Sequence, residues 1–222
     1  MDKIILVSNS CLGVFICKKM NCEYKTPFAS TLIPDDDDYL KLCSNIIYYV
    51  SLEPTIDWSP KINRFCLENN GPWASFDPDP VTGAVWIKPN YSIIHLQDID
   101  IHCPHETNSS DALANFNKRR QRSLDLIKTG NYKIINLLSF SELRLTHDYP
   151  KFIESFMTCN EDKNVINIFV GPPKYNKNYK NYIEITEWDT ESLERTNSRA
   201  FKFNNHGLLT NLIFDYIQKV II

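Results

Sequence analysis

Glycine is scarce in this 222-residue chain, with only six. No Gly-x-Gly-x-x-Gly, no Walker-type loop, no Gly-x-Ser-x-Gly elbow and no His-Glu-x-x-His occurs, which removes the common nucleotide, serine-hydrolase and zinc-protease signatures. No Cys-x-x-Cys pair occurs among the seven cysteines, at 11, 17, 22, 43, 66, 103 and 159. An odd, irregularly spaced set argues against both a zinc ribbon and a disulfide framework, and predicts reduced, mostly buried thiols. There is no apolar run long enough for a signal peptide or a membrane span, and Met1-Asp2-Lys3 leads straight into Ile4-Ile5-Leu6-Val7. A cytoplasmic setting is the expectation. Lys/Arg-rich stripes of the kind that track phosphates are missing and the net charge is −3, so nucleic acid is not the expected partner.

What is present describes a globular protein. A hydrophobic content of 43% with 23% charged residues can bury a core, so disorder is not expected. Strand-like runs alternate with helical spacing. Residues 3–7 and 133–139 read as buried strands, and Val165–Val170 and Tyr182–Trp188 as further ones. Phe28–Ile33 is a candidate second strand, and Ser92–Cys103 is an ordered, strand-like stretch. Helices are predicted after Cys11, from Pro34 through Val50, from about Asn108 to Lys128 with Gly130 just beyond, over Tyr149–Thr158, and from Leu208 to Ile221. Strands alternating with helices predict one α/β domain over 1–222, a three-layer αβα fold with a mostly parallel sheet. Residues 52–92 interrupt it with six of the 12 prolines and three of the four tryptophans, an irregular Pro/Trp-rich insertion with a short strand at Gly83–Lys88.

Three constellations can carry chemistry. In Ser8-Asn9-Ser10-Cys11-Leu12-Gly13 a cysteine sits at a strand-to-helix turn, where the helix N-terminus favours thiolate. Neighbouring N–H groups, with the Asn9 amide, could hold an oxyanion, and Gly13 would let a substrate or another backbone come close. The competing reading is a buried cysteine packing the first helix. The second constellation is His102-Cys103-Pro104-His105 at a strand end. A histidine there can meet a cysteine from the end of the first strand, and Cys–His pairing makes a nucleophile and a base. His105, beyond the strand, is the favoured base, and His102 a substrate contact. A metal site on His102, Cys103 and His105 lacks a fourth ligand, and a plain surface loop competes with both. The third is the helix carrying Arg119 and Arg120. Arg120 falls in the apolar stripe and needs a partner, either a structural carboxylate such as Asp98 or Asp100, or an anionic substrate group. Asp35–Asp38 read as first-turn helix capping, because consecutive side chains fan out instead of converging on a metal.

Three blocks, residues 4–13 (IILVSNSCLG), 96–105 (LQDIDIHCPH) and 111–123 (DALANFNKRRQRS), together resemble the domain of unknown function 1919 family, labelled exopolysaccharide-biosynthesis proteins. Ser8, Asn9, Cys11, Gly13, Asp98, His102, His105, Arg119, Arg120 and Arg122 fall on matching positions. Leu12, Cys103, Glu106 and Phe116 depart from the pattern. A more distant likeness joins the chain to a group labelled papain-like cysteine peptidases. The resemblance implies an α/β fold and a polysaccharide-related setting. The expected activity is acyl transfer or hydrolysis on a small-molecule or glycan substrate, with no cofactor and no metal. Cys11 would be the nucleophile and His105 the base, oriented by Glu142 ahead of Asp98 or Asp148. Asn9 would serve the oxyanion, and Ser8, Gly13, His102, Arg119 and Arg120 the substrate. The competing expectations are a glycan-assembly transferase without covalent cysteine chemistry and a non-catalytic glycan-binding protein. Oligomeric state is not readable from the chain.

Overall fold

The structure is a computed structural model, and it describes residues 3–9, 12–21, 26–29, 31, 33, 35–57, 92–103, 109–140, 148–160, 162–185 and 206–221. Its frame is a four-stranded parallel sheet in the order β1-β5-β6-β7, from Ile4–Ser8 (β1), Lys133–Ser139 (β5), Val165–Gly171 (β6) and Tyr182–Glu184 (β7). Every residue of β1 is buried, and β5 is buried from its second residue onward. Side chains covered on both faces explain why these strands read as continuous apolar runs instead of alternating ones.

Register fixes which face each side chain serves. Val7, Asn136 and Asn167 are neighbours across β1, β5 and β6 and share one face. Helix α2 (Asp36–Ser44) and helix α5 (Tyr149–Thr158) cover it, since the Asn136 amide donates to Cys43 O at 3.4 Å and the Asn167 amide to Phe156 O at 2.9 Å. Ser8, Leu137 and Ile168 point to the other face, where α1 (Leu12–Lys19) and the closing helix α6 (His206–Ile221) pack on each other. An α/β architecture with helices on both sides of a parallel sheet is what the alternating pattern predicted.

Helix α4 (Ser109–Lys128) occupies its predicted span, and Gly130 beyond it takes φ +68°, the left-handed setting that ends a helix cheaply. The run predicted as one helix to Val50 is two, α2 and α3 (Ile46–Ser51), broken at Asn45. The described residues of the strand expected at Phe28–Ile33 (28, 29, 31 and 33) are not in a strand. Pro27–Ala29 is a single 3-10 turn, in which Thr26 Oγ1 accepts from the Phe28 amide and Thr31 Oγ1 donates to Pro27 O. Side-chain bonds of this kind compete with a sheet ladder, and Pro27 has no N–H to give one.

A second sheet was not foreseen. Ser92–Cys103 is a hairpin, β3 (Ser92–Leu96) and β4 (Ile99–Cys103), turned at Gln97 with φ +56°, and β2 (Thr55–Asp57) adds antiparallel to β3. Its inner face (Ile94, Leu96, Ile99, Ile101) is buried, and α2 and α4 pack against the hairpin. The predicted strand at Gly83–Lys88 and the end of the one predicted to Trp188 lie outside the described residues. Among the described residues no helix is long and apolar enough to cross a membrane.

Candidate functional site

The carboxyl ends of β1, β5 and β6 bring Ser8 and Asn9, Ser139 and Phe140, and Gly171 and Pro172 to one edge of the sheet. Asn9 anchors it. Its Oδ1 accepts from the Ser139 amide at 3.1 Å, its Nδ2 donates to Ser139 O at 3.3 Å, and its own N–H donates to Leu137 O. The side chain thus copies a main-chain rung, extending the β1–β5 ladder past the last strand residue. One amide hydrogen and the carbonyl oxygen are committed there, which leaves one Nδ2 hydrogen for another acceptor. Ser8 is fully buried on the α1 face.

Gly13 meets a backbone. A Cβ on it would lie 2.7 Å from Ala29 O and 3.2 Å from Ser8 Cβ. Of the two uses foreseen for this glycine, close approach of another chain segment is the one observed. Cys11, His105 and Glu142 lie outside the described residues; the described chain ends at Asn9 and resumes at Leu12, and β4 ends at Cys103 before α4 opens at Ser109.

His102 lies on β4, opposite Ile93, in the antiparallel sheet and not in the parallel one. It is 5% exposed and sits on the strand face that carries Asp100, opposite the one carrying Ile101 and Cys103. Arg119 is partly buried on α4. Arg120 meets a structural carboxylate, one of the two outcomes expected of it, but the acid is Glu53 and not Asp98 or Asp100, held by both carboxylate oxygens at 2.5 and 3.1 Å. Its Nε also donates to Val50 O at 3.0 Å, and Asn117 Oδ1 accepts at 3.1 Å. With a fifth, longer bond to Ser51 O at 3.5 Å, the guanidinium closes the end of α3 against α4 and directs all five of its N–H donors to protein partners.

The alternative acids are occupied too. Asp98 sits in the hairpin turn, accepting from Tyr49 Oη at 2.9 Å, with Lys41 Nζ at 3.6 Å. Strand β4 then carries the chain roughly 13 Å away before Cys103. Asp100 holds His95 Nδ1 at 2.6 Å. Asp148 is the N-cap of α5, accepting from the Lys151 amide.

Two residues at the carboxyl edge escaped the sequence reading. Asp36 opens α2 and is only 6% exposed, whereas the capping of that helix is done by Asp35, which accepts from the Asp37 and Asp38 amides at 2.8 and 3.2 Å. Asp36 shares a stripe with Tyr39 and Cys43, and that i, i+3, i+7 spacing was the available signal. Tyr149 opens α5, with its ring 5.3 Å from Phe140 and 6.2 Å from Tyr175. Its hydroxyl is fully covered and has no hydrogen-bond partner among the described residues. Burial first, then the Asp36 charge, pushes this phenol up, so it stays a neutral donor. The edge thus offers a neutral hydroxyl, a buried carboxylate and aromatic walls.

The four described cysteines are not joined in disulfides, and Cys17, Cys43 and Cys103 are buried. Desolvation pushes the Cys43 and Cys159 thiols up, which makes them poor nucleophiles at neutral pH. Among the described residues no group of three or more His, Cys, Asp or Glu side chains could hold a metal ion.

Residues 1–137 match the family described as Domain of unknown function (DUF1919). The chain belongs to this family. The DUF1919 match runs from β1 through the second sheet and α4 into β5, so it takes in the Asn9 anchor, the Asp36 turn and the Arg120 clamp. Helix α5, strands β6 and β7 and helix α6 lie beyond the matched stretch, although β6 and β7 complete the same sheet. No curated protein matches the chain in sequence.

Proposed function

We propose that this DUF1919 protein is a cysteine-dependent acyl-transfer or hydrolytic enzyme acting in polysaccharide biosynthesis, with Cys11 as nucleophile and His105 as base. One observation carries the reading: only two residues separate Asn9, locked into the sheet edge, from Leu12, the first residue of α1. Cys11 is thereby the residue immediately before a helix N-terminus in the chain, and the positive dipole end of that terminus favours an anion.

The chemistry follows from those parts. His105 takes the thiol proton as the Cys11 sulfur bonds to the acyl carbon, and the displaced oxyanion is held by N–H groups at the start of α1. The remaining Asn9 hydrogen is a further donor of the right type. Collapse breaks the bond to the leaving group, which receives the proton from His105. Water or a sugar hydroxyl, losing its proton to His105, then bonds to the acyl carbon as the carbon–sulfur bond breaks, and the proton returns to the Cys11 sulfur. Glu142, two residues past Phe140 at the end of β5, is the acid assigned to orient His105. Arg120 no longer belongs to the substrate contacts, because Glu53 and the α3 carbonyls occupy it.

The test is the pH dependence of Cys11 alkylation, followed by peptide mass spectrometry in wild type and His105→Ala. The expected result is a Cys11 titration well below the ordinary thiol value of about 8.5, lost in the variant. The thiols of Cys43 and Cys159, raised by burial, serve as slow internal references. An ordinary titration at Cys11 would overturn the covalent reading and leave a non-covalent glycan transferase or a glycan-binding protein.

A further inference from the structure

Between β6 and β7 the chain reads Lys174-Tyr175-Asn176-Lys177-Asn178-Tyr179-Lys180-Asn181-Tyr182, three lysines, three tyrosines and three asparagines with no acid. A chain of net charge −3 thus concentrates positive charge in one short connection. Elsewhere such a segment would be an ordinary solvated loop, but here its rings fasten it down.

Tyr175 lies 4.9 Å from the Phe140 ring at the end of β5, and Tyr182 lies 5.2 Å from Phe169 and donates to Pro172 O. Tyr179 packs on the core as well. From α6, Tyr216 Oη donates to Lys180 O at 2.8 Å. The bend at Asn178 has φ +64°, a setting that asparagine tolerates, and Asn176 Oδ1 receives its amide at 2.8 Å. With rings and backbone secured, Lys174, Lys177 and Lys180 stand exposed, interleaved with the exposed amides of Asn176 and Asn178. Lys174 Nζ sits 4.9 Å above the Tyr175 ring. Glu154 on α5 lies 3.3 Å from Lys177, and Glu184 is a second exposed acid nearby among the described residues; Lys151, one turn earlier on α5, is an exposed cation.

We propose that residues 172–182 bind an acidic glycan, a sugar chain bearing carboxylates, at the rim of the carboxyl edge. Lysine ammonium groups meet the carboxylates as mobile point charges, and the asparagine amides both donate to and accept from ring hydroxyls. Single-stranded nucleic acid suits the loop less. Base stacking needs free ring faces. Tyr175 is hemmed in by Phe140, Tyr149 and Lys174, and Tyr182 by Phe169. This inference takes its glycan setting from the proposed function but does not depend on the cysteine chemistry.

The experiment is fluorescence anisotropy with a fluorescein-labelled oligogalacturonate and the full chain. The comparison set is wild type, Lys174→Gln/Lys177→Gln/Lys180→Gln, a Lys118→Gln control on exposed α4 surface, and Cys11→Ala. The expected outcome is binding that weakens as salt rises, falls about tenfold or more in the triple variant, and is unchanged in Lys118→Gln and Cys11→Ala. Labelled neutral dextran should not bind. Circular dichroism melting of the triple variant should stay close to wild type, because all three lysines are exposed and the Lys177–Glu154 pair is a surface one. Absence of oligogalacturonate binding, or equal binding by the triple variant, overturns the proposal. So does a labelled oligo-dT that binds as tightly and loses as much in the triple variant, which would make the loop a nucleic-acid surface. Binding that survives while Cys11 alkylation proves ordinary would sink the cysteine mechanism and leave this inference standing.

Discussion

A Cβ at position 13 has nowhere to go. Ala29 O at 2.7 Å is backbone and cannot swing aside, so Gly13→Ala must push α1 off the 3-10 turn. Overpacking of this kind costs about 1–3 kcal/mol, and urea unfolding of the variant should show it as a lower midpoint with an unchanged slope. Arg120 predicts an asymmetry. Glu53 is 82% exposed in its side chain, so Glu53→Gln should lose less than about 1 kcal/mol. Arg120→Ala also strips the bond to Val50 O from a buried position and should lose about 2–3 kcal/mol in the same measurement. Equal losses would mean the ion pair, not the carbonyl closure, does the holding. The sequence showed that Arg120 faces the core and must be paired, because helical spacing alone reveals that. It could not name Glu53, which stands at the mouth of the irregular stretch where no periodicity fixes a position. Asp36 was missed differently: in a run of four identical acids, only its i, i+3, i+7 spacing to Tyr39 and Cys43 marks it as the buried one.

At the level of elements, helix α2 depends on its cap. Asp35→Ala removes an acceptor used by two amides and should cost about 0.5–2 kcal/mol, read from thermal melting by circular dichroism. Hairpin β3–β4 is tied to α3 by Tyr49 and Asp98. Burial, then the Asp98 hydrogen bond and charge, pushes the Tyr49 phenol up to about 12. Its protonated form is favoured in the folded state, so that stabilisation is complete below pH 10, the unfolded value, and is lost as pH climbs towards 12. Tyr39, Tyr149 and Tyr182 are raised as well and act in the same direction. The informative quantity is therefore the difference between wild type and Tyr49→Phe, which should lose a measurable part of the alkaline destabilisation. A superimposable pH profile would remove Tyr49 from the account.

On the scale of the whole molecule, α2 is a shared wall. Its Tyr39 hydroxyl donates to Leu137 O of β5 at 2.8 Å, while its other side packs on β4. Amide exchange should accordingly find β4 and β5 protected to similar global values, both falling together in Asp35→Ala. Parallel order in the main sheet was legible because double-sided burial writes continuous apolar runs. The second sheet was not, because β2 is three residues long and its pairing with β3 reaches across the tryptophan-rich stretch, a distance that local pattern does not encode. That pairing has a further consequence. Asp57 and Ile93 are partners across the ladder, so everything between Asp57 and Ser92 begins and ends at one point of the fold. Seen from the gene, residues 58–91 are a bracketed clause: whatever they spell, the opening and closing marks are set by one rung of the second sheet.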